Sequence, residues 1–282
     1  MEDAARSVPE VEAWSGGVTA PAVTEQAVSC APNVGLAPSF LYRATGSSSV
    51  IESEQSNVLR LIRRTNVDLA IWRRELPSAL TSWLDASPIC DWPGLRQNLT
   101  PADVARTLRQ HFNEAGVKDC DGRALLIDDV AQLATLYAGA LRVGHVYLRL
   151  EPVRDDACTK FHRDCVKARL ITTYRGPGTE WVTAENAAKA LSMQQDFDGA
   201  LFHVPTRSVA IFKGCFGGRE AGVHHRSPRI SGSGMTRLFL CVNAAGPAVG
   251  AGALTAKTTA PRLWSTIEYR DVLDVIRYKH SC

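Results

Sequence analysis

Phe161-His162-Arg163-Asp164 places an imidazole and a carboxylate two positions apart. On an extended strand such residues project to the same side, so His162 and Asp164 can share one metal ion. Further along the chain, the segment Gly222-Val-His-His-Arg-Ser-Pro228 brings His224 and His225 side by side. Strand alternation lets one of these two face inward. Two neutral imidazoles and one carboxylate on one face of an ion form the donor set of non-haem Fe(II) oxygenases. That set leaves positions open for water, O2 and a co-substrate. Arg237 follows His225 by twelve residues and opens the apolar run Leu238–Val242. A guanidinium buried there can grip a dicarboxylate through paired hydrogen bonds.

These residues need strands to hold them, and the second half of the chain supplies strand patterns. Val146–Leu150, Ala168–Tyr174, Ser208–Phe212 and Arg237–Val242 are rich in β-branched and aromatic residues. Turn signals separate them, at Arg175-Gly-Pro-Gly178, at Gly217-Gly218 and at Ser231-Gly-Ser-Gly234. Thr183 caps a short helix expected over residues 184–191. The region before residue 146 reads mainly as helix. Glu52–Arg64 and Pro77–Ala86 carry apolar residues at helical spacing, and Val67–Trp72 is a short strand. Thr100-Pro-Ala-Asp103 is a helix start, with a capping threonine, proline at the first position and an acid three residues on. Leu126, Val130, Leu133, Tyr137 and Ala140 give a further amphipathic helix over 125–142. The expected fold is therefore α+β. Residues 1–50 are an arm with little order, 51–145 a helical support region, 146–245 a jelly-roll metal-binding core, and 246–282 a tail docked on that core.

Composition narrows the function classes. The chain has 282 residues, 45% of them apolar, with 32 Lys and Arg against 29 Asp and Glu for a net charge of +3. So balanced a charge argues against nucleic acid as a partner. No apolar run of about 18 residues points to a membrane, and the acidic start MEDAARSVPEVEAWSGG is unlike a secretory leader. The expectation is a cytoplasmic protein acting on a small molecule. The eight cysteines are widely spread, with no Cys-x-x-Cys pair, which favours reduced thiols over a disulfide framework.

The ordered set of His-x-Asp, a distal His and a basic residue about ten positions on resembles the Fe(II)/2-oxoglutarate-dependent dioxygenases. The resemblance implies a double-stranded β-helix (jelly-roll or cupin-like) core, with Fe(II) on His162, Asp164 and His225. It also implies 2-oxoglutarate as co-substrate, its far carboxylate on Arg237, and O2 as oxidant. A closer resemblance covers residues 55–245. Lys160-Phe-His-Arg-Asp164, Thr173-Tyr-Arg-Gly-Pro-Gly-Thr-Glu-Trp181, Ala210-Ile-Phe-Lys-Gly214, His225-Arg-Ser-Pro228 and Thr236-Arg-Leu-Phe-Leu240 are similar to bacterial domain-of-unknown-function family 1826. The family register begins at His225, which assigns the ligand role there and not to His224. His224 stands where that family carries an aliphatic residue, and Cys165 where it carries Asn.

Other readings use the same residues. A zinc accessory or sensor protein without turnover would employ His162, Asp164 and His225 as well, and Cys158 or Cys165 could join a zinc site. An iron oxygenase independent of 2-oxoglutarate would use Arg237 for a substrate carboxylate. Tyr174, with Arg175 and Trp181, is expected to line the pocket and Tyr174 to meet the co-substrate; the competing reading is a plain turn with a core aromatic. The helical half and the Gly-rich run Lys213–Gly222 are the expected lid. Arg60, Arg63, Arg64, Arg73 and Arg74 read as a solvated helix face.

Overall fold

Alternation along the long strands sorts side chains onto the two faces of one sheet and builds a separate core on each. A computed structural model describes residues 41–45, 48–216 and 222–246. The strands are β1 (Leu41–Thr45), β2 (Ser48–Ser53), β3 (Leu69–Trp72), β4 (Leu95–Leu99), β5 (His145–Val153) and β6 (Ala168–Arg175). They continue with β7 (Glu180–Trp181), β8 (Phe202–His203), β9 (Val209–Lys213), β10 (His225–Arg226) and β11 (Arg237–Ala245). The α-helices are α1 (Ser78–Ala86), α2 (Val104–Glu114), α3 (Asp121–Leu141) and α4 (Ala184–Met193).

Eight strands form the large sheet in the order β1-β2-β3-β9-β6-β11-β5-β4, and β10-β7-β8 form a small one. Pairing is antiparallel except between β2 and β3. An isolated antiparallel bridge between His162 and His225 adds the segment around His162 to the edge of the small sheet.

On the outer face, Leu170 and Tyr174 of β6, Ile211 of β9 and Leu238, Leu240 and Val242 of β11 pack against Leu84, Leu108, Leu126, Val130 and Tyr137 of the helices. On the inner face, Ile171, Phe212 and Cys241 meet Trp181, Val204 and Val223 from the small sheet and its loops. Trp181 stacks on Phe202 at 4.6 Å between ring centroids. Helix α3 is long and apolar enough to cross a membrane, but its buried residues belong to the outer core.

Several expectations change at this level. The region 51–145 holds α1, α2 and α3 but also places β2, β3 and β4 in the large sheet. β-branched Val50 and Ile51 pair with β3, so Glu52–Arg64 divides into the end of β2 and a 3-10 helix, Ser56–Arg63. Strands β1 and β2 begin within the stretch expected as an arm. Residues 1–40, 46–47, 217–221 and 247–282 lie outside the described residues, and with them most of the arm, half of the Gly-rich run expected as a lid and all but the start of the tail. Helices α1, α2 and α3 cover the outer face, away from the small sheet, and do not lie over the inner face as a lid, whereas α4 packs through Ala190 on Phe161 and Val182 beside the small sheet. Arg74 is not solvated: it is buried in an ion pair with Asp129 of α3.

Candidate metal centre

The site stands where the small sheet meets its edge. The backbone N–H of His162 donates to the His225 carbonyl at 3.0 Å, and the N–H of His225 donates back to His162 at 3.0 Å. This reciprocal pair sets the two imidazoles side by side, with ring centroids 4.7 Å apart. Strand β10 is held on its other side by β7, where His225 is opposite Trp181. The segment around His162 is fixed further by Gln194, whose side-chain oxygen accepts from the Phe161 N–H at 2.6 Å. Arg226 lies over the Phe161 ring and binds Glu180 at 2.6 Å.

His162, Asp164 and His225 bring one ligand atom each within 4.8 Å of one another. His225 Nε2 is 3.2 Å from Asp164 Oδ2, and His162 Nε2 is 3.7 Å from Asp164 Oδ1. Ligands at right angles on an ion with bonds of about 2.1 Å stand about 3 Å apart, so little movement is needed to close on a cation. Both rings are prepared in the same way. Nδ1 of His162 donates to the Lys160 carbonyl at 2.8 Å, and Nδ1 of His225 donates to the Val223 carbonyl at 3.1 Å. A carbonyl only accepts, so the neutral rings carry hydrogen on Nδ1 and turn a bare Nε2 lone pair inward, as metal-binding histidines do.

Asp164 is buried, and its two oxygens have different partners. Oδ1 accepts from Arg169 Nη1. Oδ2 is buried with no hydrogen-bond donor among the described residues. Burial by itself raises the carboxyl pKa; hydrogen bonds from the His162 and His225 rings in their protonated form, together with the Arg169 charge, outweigh it and hold Asp164 well below the usual carboxylate range. The result is a buried carboxylate whose Oδ2 faces Nε2 of His225 while the His162 ring stands nearer Oδ1, an arrangement that a cation satisfies. His224 is outside this cluster. Burial, then Arg163, His225 and His162, push its pKa down to about 4.

Arg237 is 2% exposed at the start of β11. Its Nε donates to the Pro177 carbonyl at 2.8 Å and its Nη2 to Thr173 Oγ1 at 3.2 Å. Among the described residues no carboxylate forms an ion pair with it. Burial pushes its pKa down to about 10, the signature of a cation removed from water without a counter-ion. The turn after β6 sits against this side chain because residue 176 is glycine, with φ +88°; a Cβ there would meet Arg237 Cγ at 2.9 Å. Arg169 and Thr173 both lie on the inner face of β6. One touches Asp164 and the other Arg237, so both ends of the site share that strand.

Tyr174 is not brought to the site. It points to the opposite face of β6, into the helical core, where its hydroxyl donates to Asp129 Oδ2 at 2.6 Å. Burial, followed by the Asp129 charge, keeps the phenol well above its usual pKa. The expectation that it binds a co-substrate is corrected by strand alternation: Thr173 and Tyr174 must face opposite ways. Arg175 likewise turns to α1 and the residues after it, donating to the carbonyls of Leu84 and Ser87. Trp181 is a core aromatic between the sheets. Arg169 escaped the sequence reading. Its one signal is a charge set between the apolar Ala168 and Leu170 of β6, five residues after Asp164. Cys158 and Cys165 are outside the ligand cluster.

A family model described as "Protein of unknown function (DUF1826)" matches residues 53–243. The chain belongs to this family. Among curated proteins there is no match. Solved structures with a similar arrangement include a prolyl-4-hydroxylase from Pseudomonas putida, 13% identical, covering 68% of this chain and 99% of that one at a TM-score of 0.36. A bsmA homolog from Methylobium petroleophilum is 12% identical, covering 67% and 91% at a TM-score of 0.31. The dioxygenase for auxin oxidation 1 from Arabidopsis thaliana is 12% identical, covering 62% and 74% at a TM-score of 0.30.

Proposed function

We propose that this protein is a non-haem Fe(II) oxygenase that uses 2-oxoglutarate and O2 to oxidise a small-molecule substrate. The observation that carries the reading is the inward-facing set of His162 Nε2, His225 Nε2 and Asp164 Oδ2, two neutral imidazoles and an orphaned carboxylate oxygen. It is the two-His, one-carboxylate donor set that leaves positions open on Fe(II). Strand order supports a double-stranded β-helix. From β5 onward, successive strands fall in the large, small, large, small, small, large, small and large sheets, counting the His162 segment as the second.

His162, Asp164 and His225 would hold the iron, and Arg237 would bind the far carboxylate of 2-oxoglutarate. When bound, the iron supplies O2 activation coupled to oxidative decarboxylation of 2-oxoglutarate to succinate and CO2. The chain's own residues do the rest. The Lys160 and Val223 carbonyls keep the rings in the metal-binding tautomer. Arg169 anchors Oδ1 of Asp164 and leaves Oδ2 free to coordinate. Phe212, whose ring is 4.6 Å from that of His225, belongs with Val223 and Trp181 to the apolar wall that keeps water from the reacting centre.

Arg237 favours this reading over a zinc accessory role. A buried guanidinium without a counter-ion has no use in a closed structural zinc site, and it matches a dicarboxylate co-substrate. The test is anaerobic addition of Fe(II) and 2-oxoglutarate. A visible charge-transfer band, followed by succinate after O2 is admitted, is expected. No band and no succinate, or stoichiometric zinc that Fe(II) does not replace, would overturn the proposal.

A further inference from the structure

Cys165 directly follows the Asp164 ligand position, and its Sγ lies 3.6 Å from Sγ of Cys215, fifty positions further on. Backbone bonds clip the two segments together around the sulfurs. The N–H of Cys215 donates to the Asp164 carbonyl at 2.8 Å, that of Gly214 to Lys167 at 3.0 Å, and that of Phe216 to Val166 at 3.4 Å. A Cβ on residue 214 would collide with the Val166 carbonyl oxygen, so the approach is close and built into the main chain. Cys165 is exposed and Cys215 half-buried, so a small solute reaches the pair. Cys90, Cys120, Cys158 and Cys241 make no such thiol contact among the described residues.

We propose that Cys165 and Cys215 form a reversible dithiol–disulfide site, closed by hydrogen peroxide and reopened by a thiol reductant, which alters the metal centre through Asp164. In the first step the Cys165 sulfur gives an electron pair to one peroxide oxygen. The O–O bond breaks, and the leaving oxygen departs as water with the thiol proton. The Cys165 sulfenic acid is then attacked by the Cys215 sulfur. An S–S bond forms, the S–O bond breaks, and a second water carries away the remaining thiol proton. Two thiols are oxidised by two electrons in all, and one peroxide is reduced to two waters. Drawing the sulfurs to bonding distance moves the segment that begins at Asp164, whose carbonyl already bonds to Cys215.

The cross-link stands without any metal; its effect on the centre rests on the iron reading above. The test uses the full chain, reduced, freed of reductant and treated with stoichiometric hydrogen peroxide. Alkylation, intact mass and a non-reducing peptide map follow. The expected result is loss of two hydrogen atoms, a Cys165–Cys215 cross-linked peptide, and reversal by dithiothreitol. Cys165→Ser and Cys215→Ser should each abolish the cross-link. Both cysteines remaining alkylatable, sulfinic acid without a cross-link, or a different partner would overturn the site. Fe(II) titration of the two forms should show affinity lower by roughly tenfold in the disulfide form, a change of the size that disturbed ligand support produces. Equal affinity would overturn the coupling. Metal binding absent from both forms would sink the iron reading and the coupling with it, while the cross-link is judged on the peptide map alone.

Discussion

Nε2 of His225 faces Oδ2 of Asp164 at 3.2 Å, and in the neutral ring neither atom carries a hydrogen, because Nδ1 is committed to the Val223 carbonyl. Two acceptors in van der Waals contact inside a protein are repulsive unless something positive lies between them. The arrangement is therefore read best as half of a coordination shell.

His225→Ala should lower Fe(II) affinity by roughly 100-fold or more, since a direct ligand counts for at least as much as its supporting partners. His162→Ala should behave alike. Anaerobic metal titration measures both, and unchanged metal content in either variant would remove that residue from the ligand set.

Arg237→Met should weaken 2-oxoglutarate binding by roughly 10- to 100-fold, the equivalent of a lost charge-assisted hydrogen-bond pair. Iron binding should be retained, because Arg237 does not contact the three ligands. Titration of the Fe(II) form followed by its visible band separates the two effects.

Tyr174→Phe removes the hydrogen bond to Asp129. A stability loss of about 1–2 kcal/mol is expected in denaturant unfolding, with 2-oxoglutarate affinity unchanged. A co-substrate role for Tyr174 predicts the reverse pattern.

Asp156 accepts from the backbone N–H groups of Ser231 and Ile230, at 2.9 and 2.8 Å, in the loop between His225 and Arg237. These bonds lower its pKa. As pH falls, the unfolded chain takes up this proton first, near pH 4. The stability Asp156 contributes is thus complete above that value and is lost as pH falls through the lower folded value. Asp156→Asn should flatten this part of the acid limb, measured by urea unfolding at several pH values.

Gly214→Ala forces a methyl group against the Val166 carbonyl oxygen and, at 2.6 Å, that of Asp164. A cost of about 1–3 kcal/mol is expected, as for other overpacked positions. Weakened metal binding should accompany it, because Asp164 is displaced with its own carbonyl. Thermal unfolding and metal titration check the pair.

What could be read from the sequence was chemistry and local pattern. Residue type and order point to His162, Asp164, Arg237 and one of His224 and His225, the family resemblance selects His225, and capping and periodicity, which act within a few residues, point to the helices α1, α2, α3 and α4. The helix expected over Glu52–Arg64 went wrong where a local pattern competed with a distant partner: Val50 and Ile51 find β3, which no short window shows.

Tertiary structure alone decided which face each strand residue takes and what it meets there. Tyr174 and Arg169 lie on the same strand, yet alternation and sheet position send one to Asp129 in the helical core and the other to Asp164. Arg74 reads as a surface charge until α3 brings Asp129 to it. Cys165 and Cys215 are fifty positions apart, and only the backbone pairing of their segments makes them neighbours. Residue type fixes what a side chain can do. Which partner it meets depends on long-range contacts, whose loop-closure cost the assembled sheets offset together and no single segment encodes.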